Sequence, residues 1–179
     1  MSPQARPATA KALAELTHRE RLQPSLLDRL TDQEPGNPRE SREQRDFSLS
    51  RLRETVLRDL AWLLNTTNLA SAQDLGAAPQ VAASVLNYGV PELSGRTLTG
   101  TDAMEIERNL RQAVADFEPR IIRHTLKVRL EVNEGQMSHN AMTFLIEGDL
   151  WAQPVPLRLY LKTEIDLDLG DVKVSAYAG

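Results

Sequence analysis

The chain has 179 residues, a formal charge of −4 and no cysteine. This length suits one folded domain with appendages. The lack of cysteine excludes disulfides, thiolate metal sites and a cysteine nucleophile. The acidic balance argues against nucleic acid as the main partner, because binding phosphates needs clustered positive charge. No apolar run approaches the roughly 18 residues of a membrane span, and the start lacks a hydrophobic leader, so we expect a cytoplasmic protein without direct membrane insertion.

The first 45 residues predict a helical segment and a linker. Residues 9–22 favour a short helix, and Leu26, Leu27 and Leu30 follow at helical spacing. Residues 32–45 are rich in proline and charge and too poor in apolar side chains to fold alone. We therefore predict an N-terminal helical segment over residues 1–31, a linker over 32–45 and a folded domain over 46–179.

The three leucines of the N-terminal segment have no neighbouring core in the sequence. Apolar side chains on a short helix beside a linker usually bind a groove on another protein. We therefore expect Leu26, Leu27 and Leu30 to dock on a partner, and the segment to be mobile without it.

The first part of the domain predicts three helices. Residues 47–68 carry the strongest helical pattern, residues 77–89 predict a shorter helix with Pro79 in its first turn and Gly89 at its end, and residues 101–117 predict a third. The apolar stripes of the two long helices, which we expect in the core, consist of Leu49, Leu52, Val56, Leu60, Leu63 and Leu64, and of Ile106, Leu110, Ala113, Val114 and Phe117.

After Pro119 the apolar period changes from about 3.6 residues to 2. Short turns separate alternating segments at residues 126–132, 141–152, 157–169 and 172–178. Short connections between one-faced strands predict an antiparallel meander. The fold class is therefore α+β, with N-terminal helices packed on a C-terminal sheet of about three to four strands. The last strand carries few charges and is a candidate for a free edge.

Candidate catalytic residues are few. His18, His124 and His139 have no spacing that would place two ligands on one metal, so we interpret them as ordinary histidines. Glu118 is the one acid in an unusual local setting, but Arg120 nearby would favour its charged form, which is wrong for a general acid. A glycosidase also needs a second carboxylate across a cleft, and none is evident. We predict no enzymatic activity, no metal and no cofactor, with a peptidoglycan hydrolase as the weaker alternative.

The tripeptide Glu118-Pro119-Arg120 lies between the last helix and the first strand. One interpretation is a rigid helix stop with two solvated charges, since proline cannot donate a backbone hydrogen bond and restricts the residue before it. The other is a pair of charges held outward for docking, since arginine makes bidentate bonds to carboxylates.

Several motifs together resemble the TssE family, the baseplate subunits of bacterial type VI secretion, which is similar to the phage baseplate wedge protein that starts tail-sheath assembly. The resemblance covers residues 25–35 and 46–178, although Glu92 stands where the family often has an Asp. The family is often labelled lysozyme-like, but the resemblance supports no hydrolase mechanism. The motifs, in chain order, are SLLDRLTD, LRDLAWLLNTTN, SVLNYGVPELSG, FEPR and LKTEIDLDLG.

The resemblance implies a structural role that joins the baseplate wedge to the contractile sheath and initiates sheath assembly. It implies the wedge subunits TssF and TssG and the sheath subunits TssB–TssC as partners, and a fold like the strand-exchange domain of the sheath subunit. The family signature maps onto Glu118, Pro119 and Arg120, which favours sheath docking by these residues, with a neighbouring sheet edge supplying backbone pairing. Leu26, Leu27 and Leu30 are then expected to contact the wedge.

Overall fold

The structure is a computed structural model that describes residues 21–22, 24–31, 49–94, 100–131, 141–153 and 155–177. The predicted linker and most of the predicted helix over 9–22 lie outside these ranges. The end of that helix prediction is wrong, because Arg21 and Leu22 form a short strand. The proposed division into segment, linker and domain stays a prediction.

The described chain contains two long helices that match the sequence pattern. We label the helices α1 (Leu26–Leu30), α2 (Leu49–Leu64), α3 (Pro79–Ala82) and α4 (Gly100–Phe117). The predicted stripes form the core face of α2 and α4, and only Leu49 and Phe117 are less than fully buried among them. The helical period therefore identified both helices and the side they bury.

The predicted helix over 77–89 is broken into α3 and a separate 3-10 turn at Val85–Asn87. Pro79 occupies the first turn as expected. The break occurs at Ser84, whose hydroxyl oxygen accepts the backbone N–H of Leu86 at 3.2 Å and so starts a new turn. Serine side chains that bond nearby backbone in this way compete with continuation of a helix.

The sheet is an antiparallel meander, which confirms the α+β prediction. It consists of β2 (Lys127–Glu131), β3 (Ala141–Leu150), β5 (Leu157–Asp166) and β6 (Val172–Ala176), in that spatial order. Two further strands, β1 (Arg21–Leu22) and β4 (Ala152–Gln153), pair with each other and tie the N-terminal segment to the domain.

One face of the sheet forms the core with α2 and α4. The register aligns Val128, Ile146 and Leu161 across neighbouring strands, all of them buried. Each such side chain contributes about 1.5–3 kcal/mol when fully buried. Thr163 is the buried polar residue of this face, and its hydroxyl donates to the carbonyl of Phe144 at 3.0 Å, which satisfies it inside the core.

Within the described ranges, side-chain hydrogen bonds hold the outer edge of β6 at its first residue, Val172. The side-chain amide of Asn65, just after α2, accepts the N–H of Val172 and donates to its carbonyl, both at 2.8 Å. Backbone groups in an antiparallel strand point alternately to the two sides, so those of Val174 and Ala176 point outward as well. Within the described ranges no strand pairs with this edge, which confirms that the last strand is an edge strand.

Gly89 offers a test of the loop between α2 and α4. Its φ is +121°, and a Cβ there would lie 2.2 Å from the carbonyl oxygen of Thr66. We expect Gly89→Ala to cost about 2 kcal/mol or more and to lower the melting temperature by roughly 4–8 °C. Gly76→Ala is the matched control, since its nearest contact is an exposed Asp74 oxygen at 3.1 Å. Equal melting temperatures for the two variants would contradict this role of Gly89.

Candidate functional site

The turn that follows α4 is fixed by backbone hydrogen bonds to the end of β3. The carbonyl of Arg120 accepts the N–H of Trp151 at 2.7 Å, and the N–H of Ile122 donates to the carbonyl of Asp149 at 2.8 Å. Pro119 lacks an N–H and cannot continue the helix. The chain therefore leaves α4 through a turn, in which the N–H of Ile121 donates to the carbonyl of Glu118 at 3.2 Å, and then pairs with the end of β3.

The charges on either side of Pro119 point inward. Glu118 is 3% exposed and Arg120 is 4% exposed. One carboxylate oxygen of Glu118 accepts the Arg120 Nε–H at 2.7 Å and its backbone N–H at 3.1 Å, and the other accepts Nη2–H at 2.6 Å. The expectation that both charges are held outward is therefore wrong. Their predicted role in sheath docking stays a prediction. In this conformation the two side chains are too deeply buried to contact a sheath subunit directly.

Arg120 also joins the end of α4 to α2. Its Nη2 donates to a carboxylate oxygen of Asp59 at 2.6 Å, and its Nη1 donates to the hydroxyl of Thr55 at 3.3 Å. Burial lowers the pKa of Arg120, but the bonds to Glu118 and Asp59 outweigh burial and raise it above the ordinary value. The guanidinium is therefore a permanent charge, stabilised by Asp59 of α2 and by Glu118 just after α4.

A third carboxylate brings α1 into the same arrangement. The side chain of Asp28 is 3% exposed; it accepts the Arg58 Nη2–H at 2.8 Å and lies 3.8 Å from Nη1 of Arg120. Ser25 caps α1, because its backbone N–H and hydroxyl donate to Asp28 at 3.0 and 2.7 Å while its Oγ accepts the Asp28 N–H. Residues 24–31 are thus held on the domain, in contrast to the expectation of a segment that is mobile without its partner.

These five charged residues form what we call the Arg120 cluster, defined as Arg120, Glu118, Asp59, Arg58 and Asp28. It contains three carboxylates and two guanidinium groups, so one negative charge remains. Buried ions are tolerated only when they are paired and hydrogen-bonded. The cluster therefore acts as a brace that positions α1, α2 and the start of the sheet relative to one another.

An open pocket of about 410 Å³ lies beside the cluster. Leu26 from α1, Trp62 from α2 and the exposed Pro119 all line it. The rings of Tyr88 and Phe117 also line it and meet edge to face, with centroids 5.2 Å apart. Two sites predicted separately, the leucine segment and the Glu118-Pro119-Arg120 turn, are therefore neighbours on one surface.

The predicted leucines lie on the outer side of α1. Leu26, Leu27 and Leu30 are exposed, while Asp28 of the same helix points into the domain. Sequence reasoning missed Asp28, Asp59 and Trp62 as parts of the site. A signal for Asp28 existed, because Ser25 and Asp28 have the spacing of a capping box.

The arrangement does not suit acid–base catalysis. Both carboxylate oxygens of Glu118 are taken up by Arg120, whereas a glycosidase acid must present its proton to a cleft. His124 is exposed in a 3-10 turn, and His18 and His139 lie outside the described residues. Among the residues the structure describes, no group of His, Asp and Glu could hold a metal ion.

The described residues combine buried ion pairs, a fixed helix with exposed leucines and a sheet edge without a partner strand. These features are typical of a protein that assembles with other proteins. The chain belongs to the baseplate wedge protein gp25 family, whose sequence model matches residues 50–155. This match confirms the resemblance to the TssE and phage wedge family, and the chain is accordingly a structural baseplate protein that interacts with other baseplate components. Comparisons with curated proteins and with solved structures found no match. No helix in the described ranges is long and apolar enough to cross a membrane.

The attachment of α1 should depend on pH through Asp28. Burial raises the pKa of Asp28, but the hydrogen bonds from Ser25 and Arg58 outweigh burial and leave the pKa below its ordinary value. A carboxyl with a lower pKa in the docked state stabilises docking fully above its unfolded pKa of about 4, and this stabilisation is lost as pH falls through the lower docked value. We therefore expect α1 to detach below about pH 4.

Fluorescence of Trp62, which lines the pocket with Leu26, can report this detachment in a Trp151→Phe background. We expect a change below about pH 4 while the far-ultraviolet circular dichroism stays native. In the Asp28→Asn variant, the Trp62 fluorescence that the parent shows only in acid should already be present at neutral pH. An unchanged transition in Asp28→Asn would assign the pH dependence to another carboxyl.

Proposed function

We propose that this chain is a baseplate component of a bacterial type VI secretion system that joins the wedge complex to the contractile sheath and initiates sheath assembly. It acts in the cytoplasm, in baseplates assembled at the cytoplasmic side of the inner membrane. The match to the gp25 family and the motifs shared with TssE support this role. The observation that carries it is the open outer edge of β6 in a domain of this family.

In this proposal the sheath subunits TssB–TssC pair with β6. The outward N–H and carbonyl groups of Val174 and Ala176 can accept a strand from a neighbouring protein. Each new backbone hydrogen bond contributes about 0.5–1.5 kcal/mol net. A ring of baseplate copies repeats the contact, and linked contacts reinforce one another.

Glu118, Pro119 and Arg120 support sheath docking indirectly. Arg120 holds α2 through Asp59, and Asn65 at the end of α2 holds the start of β6. The buried pair therefore helps to fix where the edge lies, while the exposed Pro119 lines the pocket beside Leu26.

The wedge subunits TssF and TssG bind a second surface, formed by Leu26, Leu27 and Leu30. The Asp28 ion pair fixes the direction in which these leucines face. A helix that is already ordered loses less conformational entropy on binding than a free segment does. The pocket next to Leu26 offers room for an apolar side chain of the partner.

The proposal is tested by removing one outward donor from β6. Ala176 is exposed, so Ala176→Pro deletes its N–H without disturbing the core, and proline is tolerated where the N–H of an edge strand faces outward. We expect near-parental melting, normal co-purification with TssF and TssG, and few sheaths in cells that carry a fluorescent sheath subunit. Ala176→Ser keeps the N–H and should form sheaths normally.

Normal sheath numbers with Ala176→Pro would contradict pairing at this edge.

A leucine variant tests the wedge contact separately. Leu30→Ser should lose TssF and TssG with little change in melting, because Leu30 is exposed in the chain alone. Retention of the wedge complex by Leu30→Ser would exclude the leucine surface as its binding site.

A further inference from the structure

Most of the loop between α2 and α4 lies outside the two proposed contacts, although its Tyr88 lines the pocket beside Leu26. Residues 65–94, which we call the 65–94 loop, are closed by a bridge between Thr67 and Val90. The loop contains no Lys, Arg or His, and its charged residues are Asp74 and Glu92, both exposed. Its formal charge is therefore −2.

The shape of the 65–94 loop is set largely by its own polar side chains. The amide of Asn87 accepts the N–H of Ala70 at 2.9 Å and donates to the carbonyl of Ala82 at 3.0 Å. The hydroxyl of Ser71 accepts the N–H of Glu92 at 3.1 Å. Side-chain bonds of this kind replace a regular ladder and give a loop without long helices a defined backbone.

This defined loop presents two large apolar side chains to solvent. Val85 is 78% exposed and Leu86 is 68% exposed, side by side in the 3-10 turn Val85–Asn87. Ala82 and Ala83 just before them are exposed as well. The bond from the Leu86 N–H to Ser84 fixes the turn that displays them. Exposed apolar residues on a fixed loop are typical of a protein-binding surface.

We infer that Val85 and Leu86 dock into a separate protein partner whose apolar groove is edged with Lys or Arg. The apolar pair requires the groove, and a loop whose two charged residues are both acids favours a basic rim. A second copy of this chain fits less well, because a two-fold contact through this loop would bring together two loops that both carry negative charge. Val85 and Leu86 do not line the pocket beside Leu26, and they are not part of β6.

The test compares two residues of equal exposure. Leu86 and Met104, which lies on α4, are both 68% exposed. A photo-crosslinking amino acid is placed at either position of the full chain in cells that assemble baseplates. We expect position 86 alone to crosslink to one other protein, at an apolar segment flanked by Lys or Arg.

The crosslinked protein is then purified and its affinity for the full chain is measured. We expect Leu86→Gln to weaken binding about tenfold or more, Met104→Gln to leave it unchanged, and added salt to weaken it further. Crosslinks only to a second copy, crosslinks no stronger at position 86 than at 104, or equal affinities for the two variants would each overturn the inference. These outcomes are independent of sheath formation by Ala176→Pro.

Discussion

The shared ion pairing of Arg120 is the interaction on which the rest of the structure depends. Its guanidinium binds Glu118 through two oxygens and Asp59 through a third, with Asp28 close by. A charge this deeply buried would be very unfavourable without such partners. Because the partners come from α1, α2 and the turn after α4, satisfying one side chain fixes three separate parts of the chain. The pocket lies beside these same groups, so its shape follows from them.

The brace also connects the two proposed binding surfaces through a single helix. α2 carries Asp59, which binds Arg120, and it ends just before Asn65, which binds β6. α1 carries outward leucines, and it is held by the ion pair between its Asp28 and Arg58 of α2. A partner on α1 and a partner on β6 would thus be linked by rigid, packed elements. Such a joint would suit the proposed role, in which the chain sets the first sheath ring at a fixed position on a baseplate.

The sequence predicted the elements better than the site. Periodicity located α2, α4 and the four strands of the meander, since a long amphipathic pattern reflects the face that each element buries. It did not predict the burial of Glu118 and Arg120, because that depends on Asp59, 61 residues away from Arg120, and on Asp28. The prediction of one helix over 77–89 failed for a local reason. The side chains of Ser84 and Asn87 bond to nearby backbone and interrupt the helix, and hydrophobic periodicity does not reveal such bonds. The turn at Pro119 was located correctly and its charges were placed on the wrong side.

A double-mutant cycle on Glu118 and Arg120 tests the central claim most directly. The free energy of unfolding is measured by denaturation for Glu118→Gln, Arg120→Gln and the double variant. Arg120→Gln should cost about 3–5 kcal/mol, because it leaves the buried Glu118 without a cation. Glu118→Gln should cost less, because Asp59 still pairs with Arg120, and the double variant should cost less than the sum by about 1–3 kcal/mol. The exposed pair Arg123 and Asp116, 2.8 Å apart, is the matched control, and Arg123→Gln should change stability by less than about 1 kcal/mol. Additive losses as small as that of Arg123→Gln would contradict the account of Arg120 as the brace of the fold.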